Sequence, residues 1–225
     1  MPLFVTGRHN LSTTIIALCF TLLVSAYCQA NPLPTTKFHP LPPVPFPAEN
    51  PPTEAKRVLG KILFWDEQLS TDNSIACGTC HIPSAGGADP RSAIAPGFDG
   101  QLLTQDDING SSGVAKRTSL GGLVNPHDQS LQVTGRSAQN FFGGIWAASN
   151  FWDGRATNEF IDPISQTISI ANGGALENQA LGPLMSDVEM AKRGQLPSEV
   201  VDKIKHSRPL TLARNLPSDI KQALK

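Results

Sequence analysis

Two thiols and an imidazole lie within five consecutive residues of the chain, Cys77-Gly78-Thr79-Cys80-His81. This spacing is typical of covalent attachment of a c-type haem. Each thiol adds to a haem vinyl group, and the neighbouring imidazole binds the iron from the same side. The sequence therefore predicts one covalent haem c, held by Cys77 and Cys80, with His81 as the proximal ligand of the iron.

Three other kinds of site also use paired cysteines. A zinc site needs four ligands, whereas His39, His127 and His206 are scattered along the chain. A thioredoxin-like redox pair would follow a βαβ pattern, which this sequence lacks. A plain disulfide would not need the adjacent histidine. The haem interpretation is favoured over all three.

The N-terminus has the pattern of a secretion signal. Arg8 and His9 precede an apolar run over residues 15–24, and small residues lead to Ala30. The run is about half as long as the ~20 residues that a membrane-spanning helix needs. Residues 1–30 are therefore interpreted as a signal peptide rather than a transmembrane anchor. We expect a periplasmic protein with no stable membrane anchor.

The composition indicates the cellular compartment and excludes one class of binding partner. The chain has four cysteines, and Cys19 and Cys28 lie in the predicted signal, so the mature chain keeps only the pair in the motif. This usage fits an oxidising compartment, where a stray thiol would be a liability. The formal net charge is −1, without the basic surplus that a nucleic-acid partner requires.

Apolar periodicity predicts a mostly α-helical fold with long irregular loops. Residues 31–52 contain nine prolines and are predicted to form an extended linker or a strap. The haem domain is predicted over residues 53–225. Alternating strand patterns are nearly absent, and residues 83–118, rich in Gly, Asp, Ser and Pro, are interpreted as one long loop.

Helix start signals divide the predicted haem domain. Thr53 is a candidate N-cap for a first helix that ends before a turn at residues 70–73. Ser198 and Ser218 are candidate caps for two C-terminal helices. The predicted helices after the first cover residues 75–81, 141–149, 174–182, 187–193, 199–206 and 219–224.

The position opposite His81 on the iron separates an electron carrier from an enzyme. A carrier fills it with a strong ligand such as Met or His, whereas an enzyme leaves it open to substrate. No Met occurs between His81 and Met185. Met185, Met190 and His127 remain candidate ligands, and the absence of an earlier Met favours an open or weakly ligated iron.

Several further runs resemble the first haem domain of the bacterial di-haem cytochrome c peroxidases, a superfamily that includes the MauG-like enzymes. They are LGKILFWD at 59–66, FWDGR at 151–155, QALGPL at 179–184 and VEM at 188–190. The resemblance covers roughly residues 53–225. Members of the family have two cytochrome c-like domains, in which peroxide reacts at the first haem and the second haem supplies electrons. With one haem motif, this sequence is similar to the peroxidatic domain alone.

The resemblance implies roles for five residues. Glu189 would be the distal acid/base that moves a proton as the O–O bond of hydrogen peroxide breaks. Gln179 and Pro183 would shape the distal pocket. Trp152 would lie on the electron route between the haems, with Arg155 nearby. The implied partners are hydrogen peroxide and a small electron-donor cytochrome or cupredoxin.

These residues also have structural interpretations. Ser186-Asp187-Val188-Glu189 matches a capping box, in which Glu189 reaches back to the Ser186 backbone. Trp152 alone is more often a core aromatic. Gln179 is compatible with a surface helix position, and Arg155 with a generic ion pair.

Departures from the family pattern leave other functions open. Gly143 stands where the family usually has an Asn linked to a calcium ion, so calcium is doubtful. Residues 82–126 contain no His, which leaves His127 as the candidate for the histidine that blocks the iron in many members. The alternatives are an electron-transfer cytochrome with a filled sixth position and a MauG-like oxidase or oxygenase.

Overall fold

The computed structural model describes residues 40–123 and 131–225. The predicted signal peptide, residues 1–30, lies outside them, as do residues 31–39 of the predicted linker and His127. Val44–Lys225 forms one compact unit. Among the described residues, none of the helices is long and apolar enough to span a membrane.

Five α-helices and three two-stranded antiparallel sheets make up the regular structure of the described residues. The helices are α1 Glu54–Trp65, α2 Cys77–Cys80, α3 Ala175–Met185, α4 Pro197–His206 and α5 Ser218–Ala223. The strands pair in sequence order: β1 Ala93–Ala95 with β2 Ile108–Gly110, β3 Ser112–Ala115 with β4 Leu131–Val133, and β5 Phe160–Ile161 with β6 Ile168–Ile170.

The helix before the haem motif begins as its sequence predicts. The Thr53 side chain accepts a hydrogen bond of 3.2 Å from the backbone N–H of Lys56, so Thr53 is the N-cap. Ile62, on the inner face of α1, is buried in a cluster with Leu210 and Ile220. This cluster fixes α1 against the C-terminal segment.

A second buried cluster ties together the segments that surround the haem motif. Leu69 and Ile75 lie between α1 and α2, Val114 lies in β3, and Met190 follows the Glu189 turn; each is at most 6% exposed. Burial of apolar side chains at this junction is the main source of its stability. The cluster therefore holds the motif, β3 and the turn in one arrangement.

Both predicted C-terminal helices form, but each begins earlier in the chain than predicted. Pro197 is the first residue of α4, after Leu196 as N-cap, and Pro217 is the N-cap of α5. Ser198 and Ser218 are therefore inside the helices and the prediction of their capping role is wrong. Proline suits the first helical turn because its fixed φ is already helical and its missing N–H would be unpaired there. The helix predicted over 174–182 also forms, and extends to Met185.

The helix predicted over 187–193 does not form, because its carbonyl groups bind other segments. The backbone N–H groups of Val114 and Thr71 donate to the carbonyls of Glu189 and Met190, at 2.9 and 2.8 Å. The segment is a turn closed by hydrogen bonds from the N–H groups of Glu189, Met190 and Ala191 to the Ser186 carbonyl. The helix predicted over 141–149 is reduced to the 3-10 turn Gly144–Trp146, as is expected where adjacent glycines raise the entropic cost of a helix.

The prediction of a mostly α-helical fold is correct only in part. The predicted long loop, residues 83–118, contains β1, β2 and β3, and all six strands lie between α2 and α3. Strands of two to four residues are too short to show the alternation of period two that identifies a strand in sequence. The Pro-rich segment 44–52 lies against α3, where the Asn50 side chain donates to Glu177 at 2.8 Å.

Candidate haem site

The two cysteines of the motif lie on one short helix with free thiols. Cys77 begins α2 and Cys80 ends it, both side chains are half-buried, and no disulfide joins them. Burial raises the pKa of both thiols, so they are protonated at neutral pH. Two unpaired thiols one helical turn apart fit the two thioether bonds of haem c.

The hydrogen bonds of His81 fix which ring nitrogen can bind iron. His81 is the C-cap of α2, and its Nδ1 lies 3.0 Å from the carbonyl oxygens of both Gly87 and Gln139. A carbonyl only accepts, so Nδ1 carries the proton. The lone pair is then on Nε2, and a backbone acceptor on the other nitrogen is the usual arrangement around a metal-binding histidine. The motif therefore fits a covalent haem with His81 Nε2 on the iron.

Aromatic side chains enclose the motif from α1 and from the segment after β4. The Phe141 ring packs edge-on against His81 at 6.0 Å between centroids and against Phe64 at 5.6 Å. The Phe64 ring in turn meets Trp65 at 5.0 Å. A Cβ at Gly78 would lie 2.4 Å from the Trp65 ring. Glycine inside the motif is therefore required by the close approach of Trp65.

This contact leads to a prediction with a matched control. Gly78→Ala is expected to lower the free energy of unfolding by about 1–3 kcal/mol, because the added methyl overlaps the Trp65 ring. Gly60→Ala, in α1 with nothing within 4 Å of its Cβ position, is expected to raise it by about 0.5–1 kcal/mol. Urea unfolding of the holoprotein measures both. Equal midpoints for the two variants would contradict the account of this packing.

An ion pair between a buried carboxylate and a half-exposed arginine contacts α2. The Asp89 carboxylate, 1% exposed, binds Arg91 at 2.8 Å, and the Arg91 guanidinium donates to the Thr79 carbonyl. The bond to Arg91 holds the pKa of Asp89 below its usual range. These two residues were not predicted to belong to the site. Two opposite charges two residues apart do not indicate, in the sequence, which other segment they contact.

Glu189 lies on a turn that packs closely against β3. Its carbonyl accepts from Val114 of β3, and a Cβ at Gly113 would lie 1.8 Å from the Val188 carbonyl oxygen. Burial raises the pKa of the Glu189 carboxyl. A hydrogen bond with the Ser186 side chain and the positive charge of Arg155 oppose that rise, and the carboxyl is close enough to His81 to respond to charge on that ring. The carboxyl is thus within electrostatic range of both Arg155 and the predicted iron ligand.

The structure does not support the capping-box interpretation of this segment, because no helix begins at Ser186. The residues after Ser186 form a turn, and the partner of the Glu189 carboxyl is the Ser186 side chain. A rigid turn with a half-buried carboxyl is suited to holding a proton-transfer group in one place. The catalytic role of Glu189 remains a prediction.

Gln179 and Pro183 lie one helical turn apart on α3, and both are half-buried. A spacing of four residues places their side chains on the same helix face. The helix lies against the FWDGR run, since a Cβ at Gly182 would be 3.7 Å from the Phe151 ring. The structure thus places the two predicted pocket residues on the helix that leads into the Glu189 turn.

Trp152 and Arg155 occupy opposite settings in the FWDGR run. Trp152 is 71% exposed and lies under the guanidinium of Arg136, 4.5 Å from the ring centroid, so its interpretation as a core aromatic is wrong. Arg155 stacks on the Phe151 ring at 3.8 Å and pairs with Asp153 at 2.9 Å. The ion-pair interpretation of Arg155 is confirmed, and its charge also acts on Glu189.

The candidate sixth ligands differ in their surroundings. Met190 is 3% exposed and belongs to the core cluster with Leu69, Ile75 and Val114. Met185 is half-buried at the last position of α3, and His127 lies outside the described residues. Within residues 40–123 and 131–225, no three His, Cys, Asp or Glu side chains gather as a metal-binding group.

Sequence comparison identifies the family to which this site belongs. A profile of the di-haem cytochrome c peroxidases matches residues 54–214, which include the motif, the FWDGR run, α3 and the Glu189 turn. The chain belongs to the di-haem cytochrome c peroxidase family. Membership implies haem c as the cofactor and agrees with the free thiols and with the hydrogen bonds of His81 Nδ1.

Individual relatives of the family match shorter segments. Cytochrome-c peroxidase IdrP1 of Denitromonas iodatirespirans is 42% identical over 91 residues, which are 40% of this chain and 23% of that protein. Methylamine utilization protein MauG of Methylophilus methylotrophus is 38% identical over 78 residues, 34% of this chain and 23% of that protein. The matched segments thus span less than a quarter of either relative.

The crystal structure of a MauG-like protein associated with microbial copper homeostasis aligns with 79% of this chain and 37% of that one, at a TM-score of 0.38 and 22% identity.

Proposed function

We propose that the protein is a periplasmic haem peroxidase with a cytochrome c-like haem domain, which reduces hydrogen peroxide to two molecules of water. Each turnover takes two electrons and two protons, and the electrons come from a small cytochrome or cupredoxin or from a second haem. Family membership supports the reaction class. The observation that carries the proposal is the half-buried Glu189 carboxyl, which lies within electrostatic range of His81 and Arg155.

Each residue of the site has its own proposed role. Cys77 and Cys80 would tether the haem, and His81 Nε2 would bind its iron. The haem, when bound, supplies the iron that takes up peroxide and passes on the electrons. Glu189 would accept the proton of one peroxide oxygen and return it to the other oxygen. The O–O bond then breaks, and the oxygen that received the proton leaves as water. Such proton transfer contributes about 10²–10⁴ in rate.

The electrostatics of Glu189 suit a group that must both take and give a proton. Burial raises its pKa above 4.5, toward the working pH, where acid–base catalysis is most effective. The hydrogen bond with Ser186 and the charge of Arg155 oppose the rise, which keeps the carboxylate available to accept the first proton. Gln179 and Pro183, on the helix that leads into the Glu189 turn, are proposed to line the same pocket.

The proposal is tested by peroxide turnover of the holoprotein as a function of pH. Because the carboxylate is the base and its pKa is raised, we expect kcat/KM for peroxide to fall with decreasing pH at values above the usual range of a glutamate. The measurement is the peroxide-dependent oxidation of a reduced small cytochrome c, followed in a stopped-flow spectrometer. A haem-loaded protein that consumes no peroxide at any pH would overturn the proposal.

A second candidate function is that of a MauG-like enzyme, which would oxidise a larger substrate at the protein surface. Its support is the exposure of Trp152, which at 71% is accessible to a partner molecule. In the same assay this function would give peroxide consumption that the reduced cytochrome does not accelerate.

A further inference from the structure

Main-chain contacts hold the middle of the Glu189 turn against β3. The Glu189 carbonyl accepts from the Val114 N–H at 2.9 Å. A Cβ at Gly113 would lie 1.8 Å from the Val188 carbonyl oxygen, so the two main chains are in close contact there. These contacts fix the middle of the turn and leave its first part, at Asp187, to other groups.

A side chain of β4 holds that first part. The Nε2 atom of Gln132 donates to the Asp187 carbonyl and, at 3.3 Å, to the Val114 carbonyl. Both partners are carbonyl oxygens, which only accept, so the amide nitrogen faces them and each of its two hydrogens has an acceptor. Gln132 therefore joins the start of the turn to the same strand that binds the Glu189 carbonyl.

Gln132 is itself held in place by the strand that carries it. It is half-buried, and β4 pairs with β3, with Leu131 opposite Ala115. Just beyond β4, the Thr134 N–H donates to the Ser111 carbonyl at 2.9 Å. A functional group keeps its working position only where the residues that support it are also fixed. Gln132 meets this condition on both sides.

The strand β3 also contacts the haem-attachment helix. The Ser112 carbonyl lies 3.6 Å from Cys80 Sγ, at the end of α2. One short strand thus touches the helix that would carry the haem and, directly and through Gln132, the turn that carries Glu189. The bonds of Gln132 therefore help to set the position of Glu189 relative to Cys80.

We propose that Gln132 is a positioning residue for Glu189, and that its amide, by joining the Asp187 carbonyl to β3, holds the Glu189 carboxyl where it can move a proton. The inference deepens the proposed peroxide reduction and rests on it for the role of Glu189. A proton-transfer group must lie within hydrogen-bond reach of the atoms that it serves. A displacement of about 1 Å can lower the rate by about 10²-fold.

Cyanide binding to the ferric holoprotein tests the position of Glu189 without peroxide turnover. Hydrogen cyanide must lose its proton as cyanide binds the iron, and a nearby base accelerates this step. Association rates are measured by stopped-flow absorption for wild type, Glu189→Gln and Gln132→Met, in which methionine keeps the side-chain length and removes both donors. We expect Gln132→Met to lose about tenfold in this rate and in kcat/KM for peroxide, and Glu189→Gln to lose at least as much.

Gln68→Met provides a matched control. The Gln68 amide also joins two acceptors, the Asp66 carboxylate at 3.0 Å and the Arg208 carbonyl at 2.6 Å, which lie outside the Glu189 turn. Both methionine variants should unfold at a lower urea concentration than wild type, because each leaves two acceptors without their donor. Gln68→Met should nevertheless bind cyanide at the wild-type rate, whereas a general loosening of the fold would slow both variants alike.

Two results would overturn the positioning role. One is a wild-type cyanide rate in Gln132→Met when Glu189→Gln is slow. The other is an equal loss of rate in Gln132→Met and Gln68→Met. Slow cyanide binding by Gln132→Met, together with a wild type that consumes no peroxide, would contradict the proposed function and keep the positioning role.

Discussion

Replacing Glu189 with glutamine is expected to reduce peroxide turnover by about 10²–10⁴ and to leave haem content and the absorption spectrum unchanged. Glutamine keeps the size of the side chain and a hydrogen bond with Ser186, but it cannot carry a proton between the two peroxide oxygens. Turnover is measured with reduced cytochrome c and, independently, with a dye donor. Unchanged turnover in both assays would remove Glu189 from the reaction.

The stability of the same variant distinguishes catalysis from helix capping. Because burial raises the pKa of Glu189 in the folded protein, its stabilising effect is present below the unfolded-state pKa and is lost as pH rises through the folded-state pKa. At pH 7 the charged carboxylate therefore disfavours the folded state. We expect Glu189→Gln to unfold at the same urea concentration as wild type at this pH, or at a higher one.

Glu199 provides the matched control for this variant. Its carboxylate accepts from the Leu196 backbone N–H at 2.8 Å and pairs with Lys192 at 2.7 Å, so Glu199 caps α4. Glu199→Gln should keep full peroxide turnover and lose a small part of the unfolding free energy. A loss of stability in Glu189→Gln with full turnover would instead assign Glu189 a structural role.

Removal of the motif thiols is expected to have the other large effect. Cys77→Ala leaves Cys80 as the only tether and should lower the fraction of haem that stays with the denatured polypeptide, and Cys77→Ala/Cys80→Ala should retain none. The measurement is haem staining after denaturing electrophoresis, normalised to protein. Thr79→Ser, between the two cysteines, keeps the hydroxyl that accepts from Ala76 and should retain the wild-type amount. Equal staining in the double variant would contradict covalent attachment.

The sequence predicts those features whose causes are local. The haem motif is read from five residues, and Thr53 caps α1 through a bond to Lys56, three residues away. The C-terminal helices also appear where apolar periodicity places them. Each of these signals depends on neighbours within one or two turns of the chain, which a linear pattern records.

The remainder of the site depends on contacts between distant segments. The Gln139 carbonyl that orients His81 is 58 residues from it, and Phe141 packs on the same ring without a sequence signal. The helix predicted over 187–193 gives way to a turn because Val114 and Thr71 take its carbonyl groups. Trp152 lies at the surface although large aromatics dominate cores, and the Arg136 guanidinium stacks on its ring.

The most direct test of the central claim is the ferric absorption spectrum of the holoprotein, produced with c-haem maturation machinery, before and after peroxide is added. The claim is that the haem is bound by His81 on one side and open to peroxide beside Glu189 on the other. It predicts a high-spin spectrum that changes on addition of peroxide. A low-spin spectrum that does not respond to peroxide would contradict it, because a strong ligand such as His127 or Met185 would then fill the sixth position.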